Sequence, residues 1–206
     1  MPHLRFILLL LLIHSISFLP CLAEDLEESK DTLDFQYQAR DIRDTLLEAA
    51  AKGETALVIE PGIKGELALE IKKMSPDRAI ALLAASVGCV VKKVGELTLV
   101  VRQEKASPPK LPPLKIRKDS KCKTRVIRSA NLRVQFKSLA NEAEIPVIVG
   151  REFESSCPIK VGEVPIADLM VALAWVSDAR WTFLNEVLFI GTAQEVEMTK
   201  KAWEAR

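Results

Sequence analysis

The residues able to do chemistry in this chain of 206 are few, and they stand where chemistry is hard to build. Both histidines, His3 and His14, fall in the opening stretch MPHLRFILLLLLIHSISFLPCLA. A basic start, the apolar run FILLLLLI and small residues ending at Ala23 have the layout of a secretory signal over residues 1–23. His14, Ser15 and Ser17 cut the run short for a membrane span, and Pro20 breaks the helix ahead of the cleavage point. An uncleaved anchor, or lipid attachment at Cys21, are the weaker alternatives. Cleavage leaves a chain from Glu24 without imidazole, which excludes mechanisms that need a histidine base or ligand. Removing Arg5 also takes Lys+Arg from 29 to 28, against 28 Asp+Glu, so the net charge becomes zero and no field favours nucleic acid.

The remaining thiols are no better placed. Cys89, Cys122 and Cys157 lie 33 and 35 residues apart with no Cys-x-x-Cys pair, so a metal site is not expected. Cys89 follows Gly88 without a base beside it and reads as a small buried apolar residue. The carboxylates Asp41 and Asp44 have the spacing of an acid–base pair, but a helix start explains both as caps. No catalytic residue and no cofactor are expected.

The elements that position these residues read as one unit used twice. In DIRDTLLEAAAKG, Ile42, Leu46, Ala49 and Ala50 lie on one helical face, and Gly53 is placed to end the helix in a left-handed conformation. TALVIE is a short strand, PGIKG a turn, and ELALEI a strand with Leu67, Leu69 and Ile71 on one side. Ser75, Pro76 and Asp77 open a second helix with Ala79, Leu82 and Leu83 as its stripe; CVVKK and LTLVV close with a hairpin. With LDFQY in front, the order is β-α-β-β-α-β-β. The same apolar rhythm returns 90 residues later without a gap, Ile42, Leu46, Ala49 and Ala50 falling on Leu132, Phe136, Leu139 and Ala140, LVI (57–59) on VIV (147–149) and Ile63 on Phe153. The expected fold is α+β, with two tandem domains at 24–101 and 122–191, a linker at 102–121 and a helical tail at 192–206. The domains should each fold alone.

The linker RQEKASPPKLPPLKIRKDSK carries seven basic and two acidic residues, a local charge of 7 − 2 = +5. Its prolines favour a stiff extended segment, read as a solvated spacer because no aromatic interleaves the charges. In the tail, Trp203 is a docking candidate. In the second domain Cys122 precedes the first strand and Cys157 opens CPIKV. If those strands are neighbours, the two thiols could form a disulfide; the alternative is two buried thiols.

Three patterns occur in order within residues 35–101. Asp41, Ile42, Arg43 and Leu46 open a helix. Pro61, Gly62, Ile63, Lys64 and Gly65 form a turn preceded by Glu60, and Pro76, Ala79 and Leu83 mark the second helix. With them the stretch resembles the short N-terminal domain shared by secretins and TonB-dependent transducing receptors. It is most similar to the version in type IV pilus and type II secretion secretins. The second copy matches less well, Arg151 and Ser155 standing where the turn has its proline and second glycine. The resemblance implies a periplasmic, non-enzymatic domain, associated with the outer membrane or not, that docks secretin, pilus or inner-membrane components. Its alternative is a signalling-type domain that binds an inner-membrane regulator. It also implies a positive φ at Gly65. A secretin would continue into a ring-forming domain and a receptor into a barrel, whereas this chain stops at Arg206, so an accessory protein or a shortened relative is expected. From the residues alone, binding to an anionic envelope surface through the +5 linker stays open. So does weak self-association, and membrane contact would come only through an uncleaved first segment.

Overall fold

The computed structural model describes residues 32–117, 120–151 and 155–205; the signal-like segment and Phe153 lie outside them. The fold is α+β. Its first set of elements is β1 (Leu33–Asp41), α1 (Ile42–Lys52), β2 (Leu57–Ile59), β3 (Glu66–Met74), α2 (Pro76–Ser86), β4 (Cys89–Val94) and β5 (Leu97–Arg102). A 3-10 turn at Gln103–Lys105 follows. The second set is β6 (Arg125–Asn131), α3 (Leu132–Glu142), β7 (Val147–Val149), β8 (Ser156–Val161), α4 (Ile166–Ser177), β9 (Arg180–Leu184) and β10 (Val187–Gly191), closed by α5 (Ala193–Glu204). The order β-α-β-β-α-β-β thus occurs twice. Helices α1 and α3, like strands β2 and β7, begin and end 90 residues apart. Even an irregularity returns. The β1–β3 register shifts between Tyr37↔Leu69 and Arg40↔Leu67, and the β6–β8 register between Ile127↔Ile159 and Ala130↔Cys157, each position 90 further on.

Each set builds an antiparallel ribbon, β1–β3 or β6–β8, and a three-stranded sheet, β4-β5-β2 or β9-β10-β7. The sets do not stay apart. Strand β8 pairs antiparallel with β2 (Leu57↔Lys160, Val58↔Ile159), so ribbon and sheet merge as β4-β5-β2-β8-β6. One core cluster holds Val58, Leu97, Leu99 and Val101 of the first set together with Phe136, Ile159, Leu173 and Trp181 of the second. Residues 31–206 form one compact unit. Where two separately folding domains were expected, a shared sheet and core couple the two sets.

The linker is likewise no solvated spacer. Leu111, Leu114 and Ile116 pack against the shared core, and the indole N–H groups of Trp175 and Trp181 donate to the carbonyls of Lys105 and Pro112 at 2.7 and 2.9 Å. The segment is a strap laid over the second set, with Lys110, Lys115 and Arg117 exposed. In the tail, Val196 docks α5 beside Leu184 and Phe189, while Trp203 stays 41 % exposed.

The resemblance-bearing residues lie around the two helices of the first set. Asp41 accepts from the Arg43 amide at 2.8 Å and holds its guanidinium, capping α1. The Ile42 amide donates to the Gly65 carbonyl at 2.9 Å, tying the helix start to the turn. Ile42, Leu46, Ala79 and Leu83 are buried, and Pro76 begins α2. One glycine role differs from expectation. Gly53 has φ −92°; the left-handed residue is Glu54 (φ 52°), matched by Glu144 (φ 57°). Gly53 is needed for space, since a Cβ there would lie 2.2 Å from Pro76. Gly65 keeps the expected positive φ, 159°, and Val87 adds a constraint, 3.2 Å from a would-be Cβ; the left-handed glycine of the turn is Gly62, φ 85°. Gly62→Ala is therefore expected to cost about 1 kcal/mol through strain alone. Gly65→Val should cost more, and Val87→Ala should recover part of that loss. Urea melts of the single and double variants check both.

All three described cysteines are buried free thiols, so the expected Cys122–Cys157 bridge is not formed. The reason is strand direction. Strand β6 runs antiparallel to β8, so Cys122, ahead of β6, meets the far end of β8: its amide donates to Val164 and its thiol faces the Gly162 carbonyl. Cys157, at the start of β8, pairs with Ala130 instead. Gly162 is five residues beyond it, roughly 16 Å at ~3.3 Å per residue. Burial alone pushes the Cys157 thiol up to about 12.

Tyr37 supplies a pH test. Its hydroxyl donates to Glu48 at 2.7 Å, where Arg40 and Lys52 also converge. Burial first, and then Glu48, raise its pKa from 10.0 to about 12. The folded chain keeps a proton that the unfolded chain releases near pH 10, so this stability is full below pH 10 and is lost as pH rises through about 12. Stability should fall over that window, and Tyr37→Phe should fall less steeply when melts are compared from pH 9 to 12.

Candidate docking site at an open sheet edge

Strands β2 and β7 are sequence counterparts with opposite surroundings. Leu57, Val58 and Ile59 are all fully buried, because β5 flanks β2 on one side and β8 on the other. The junction is closed by Lys160 of β8, whose ammonium donates to the carbonyls of Ala50 and Thr55 at 3.1 and 3.0 Å. Burial there holds the Lys160 pKa below the usual lysine value.

Strand β7 has β10 on one side and, among the described residues, no strand on the other. The Gly150 amide donates to Ile190 at 2.8 Å and the Pro146 carbonyl accepts from Leu188 at 2.9 Å. By alternation Val147 and Val149 turn their amides and carbonyls to the open side. Pro146, which lacks a donor, thus costs the edge nothing. Ile148 is 53 % exposed where its counterpart Val58 is buried.

This edge floors a groove of about 650 Å³. Arg133 and Lys137 of α3 form one wall, Met198 and Thr199 of α5 the other, and Arg151 lies at the end of β7. Met198 is 53 % exposed, and so is Val134 (58 %) beside the basic pair. Among the described residues, the buried Nε of Arg133 has no hydrogen-bond partner. Glu195 closes the far corner, its carboxylate accepting from the Thr192 amide at 2.9 Å in a capping box. A Cβ at Gly150 would lie 2.4 Å from that carboxylate, so glycine is what admits it.

The arrangement offers main-chain hydrogen bonds, an apolar strip and a basic wall to an extended polypeptide. Among the described residues no cluster of three or more His, Cys, Asp or Glu could hold a metal, and no helix is long and apolar enough to cross a membrane. No family model matches the chain, and no curated protein matches it.

The groove gathers none of the candidate site residues named from the sequence. Asp41, Ile42, Arg43, Leu46, Pro61, Gly62, Gly65, Pro76, Ala79 and Leu83 build the first set, and Cys122 and Cys157 lie in the shared core. Arg133, Lys137, Ile148, Arg151 and Met198 carry the site without any motif. Their one signal is the replacement of buried Leu47 by Lys137 at the matching helical position, 47 + 90 = 137.

Proposed function

We propose that this chain is a non-enzymatic, exported protein-interaction module that binds an extended segment of another envelope polypeptide along β7. One observation carries the reading. The edge that is covered at β2 is bare at β7, and a groove with apolar and basic walls surrounds it. Bare edges with half-exposed apolar residues are avoided unless they are used. The resemblance to secretin N-terminal domains supports a place in the periplasm, accessory to a secretion or pilus machine.

A photo-crosslinking residue at Ile148, in the chain exported by living cells, tests this. Adducts are expected at Ile148 and not at Leu82, an equally exposed apolar position on α2 (51 %). Val149→Pro, which removes an outward amide, should abolish them. Equal yields at both positions, or none at either, would overturn the reading.

A further inference from the structure

The junction inside the chain specifies what fits outside it. The ribbon of the second set docks through β8 on β2, the edge of the first sheet. Among the described residues, one ribbon and one sheet edge of the same kinds remain unused: the β1–β3 ribbon, where β3 pairs with β1 alone, and β7. We propose that β3 of a second copy pairs antiparallel with β7, so that chains join head to tail. This rests on the docking reading above and names its occupant.

The register can be copied. Leu57↔Lys160 becomes Val147↔Glu70 (57 + 90, 160 − 90), and Val58↔Ile159 becomes Ile148↔Leu69. Continuing along the strands sets Arg151 opposite Glu66. Strand β3 is regular across this span, its partners running evenly from Gln36↔Glu70 to Tyr37↔Leu69 and then Arg40↔Leu67, where the extra residue lies in β1. Glu66, Ala68 and Glu70 are exposed, while Leu67 and Leu69 are only half covered.

Charges change places between the two junctions. In the inner junction the strand brings the cation, Lys160, to the carbonyls of Ala50 and Thr55, and helix α1 carries the buried Leu47. In the outer one, position 160 is matched by Glu70 and position 47 by Lys137, so the strand brings the anion and the helix the cation. Glu66 and Glu70 thus approach a wall of Arg133, Lys137 and Arg151. A head-to-tail contact of this kind does not close on itself in a dimer; it yields rings or open chains.

Sedimentation of the exported full chain over a range of concentrations should show growth by successive copies. Glu66→Arg and Arg151→Glu should each weaken self-association roughly tenfold or more, because like charges then face each other. The two together in one chain should restore it, since every junction regains an opposite pair. Both positions are exposed, and unchanged melting temperatures exclude misfolding as the cause. Leu69→Cys with Ile148→Cys should give a ladder of oxidised multimers, and Leu82→Cys with Ile148→Cys should not; Cys89, Cys122 and Cys157 are buried. A chain that stays monomeric throughout, or a double swap no better than either single, overturns this inference. If Ile148 then crosslinks only to a different protein, the docking reading survives it. If Ile148 crosslinks to nothing, both fall.

Discussion

Ile159→Ala is expected to lower the stability of the whole chain by about 3–4 kcal/mol while leaving a single unfolding transition. Ile159 is fully buried at the centre of the five-stranded sheet, between Val58 of β2 and Ile127 of β6. Truncating it opens a cavity bounded by both sets, in a cluster that holds Leu97 and Leu99 with Phe136 and Leu139. Side chains packed this closely relax little, so the lost transfer energy and the cavity add. Indole fluorescence reports the second set, where Trp175 and Trp181 are buried, and far-ultraviolet dichroism reports the entire fold. The two should lose signal at the same denaturant concentration, in the parent and in the variant. Separate midpoints, with only the second shifted, would show that the sets fold apart and that the β2–β8 seam contributes nothing.

That seam marks the limit of what the residues disclose. The order of elements and the apolar faces of α1 and α3 were legible, because helix and strand periods write themselves into neighbouring positions. Leu132, Phe136, Leu139 and Ala140 are buried as their counterparts Ile42, Leu46, Ala49 and Ala50 are. The fate of a sheet edge is not local. LVI and VIV are interchangeable as patterns, yet β8 covers one and leaves the other bare, which depends on pairing between residues about 100 apart. The disulfide expectation failed in the same way: adjacency of β6 and β8 was foreseen, but their opposite direction sends Cys122 to the wrong end. In the strap the charges masked Leu111, Leu114 and Ile116, which are partly buried because they pack on the shared core. The candidate site was hidden most of all, since Arg133, Lys137 and Arg151 converge only once α3 and β7 are folded together.

The strap begins at a buried charge, and there the second large effect is expected. The Glu60 carboxylate has no exposed surface. It accepts from the Arg102 amide at 2.7 Å, from Arg102 Nε and Nη2 at 2.9 and 2.6 Å, and pairs with Lys105 at 3.2 Å. Lys105 extends the chain of contacts, pairing with Asp178 at 2.5 Å and offering its carbonyl to Trp175. While either cation remains, the carboxylate keeps a charged partner, and Arg102→Ala or Lys105→Ala alone should cost only about 1 kcal/mol. Removing both strands a buried anion with one amide for company, a situation that costs about 3–5 kcal/mol. The double variant should therefore lose more than the two singles combined, by at least about 1 kcal/mol in urea melts. Glu60→Gln in the double background should recover part of the loss, because the amide form carries no charge to bury. The Trp175 emission should shift with the double variant before global unfolding, as the strap loosens at its first anchor. Simple additivity of the two singles would mean that Glu60 finds its compensation elsewhere, and that the strap is held by its leucines and tryptophan contacts alone.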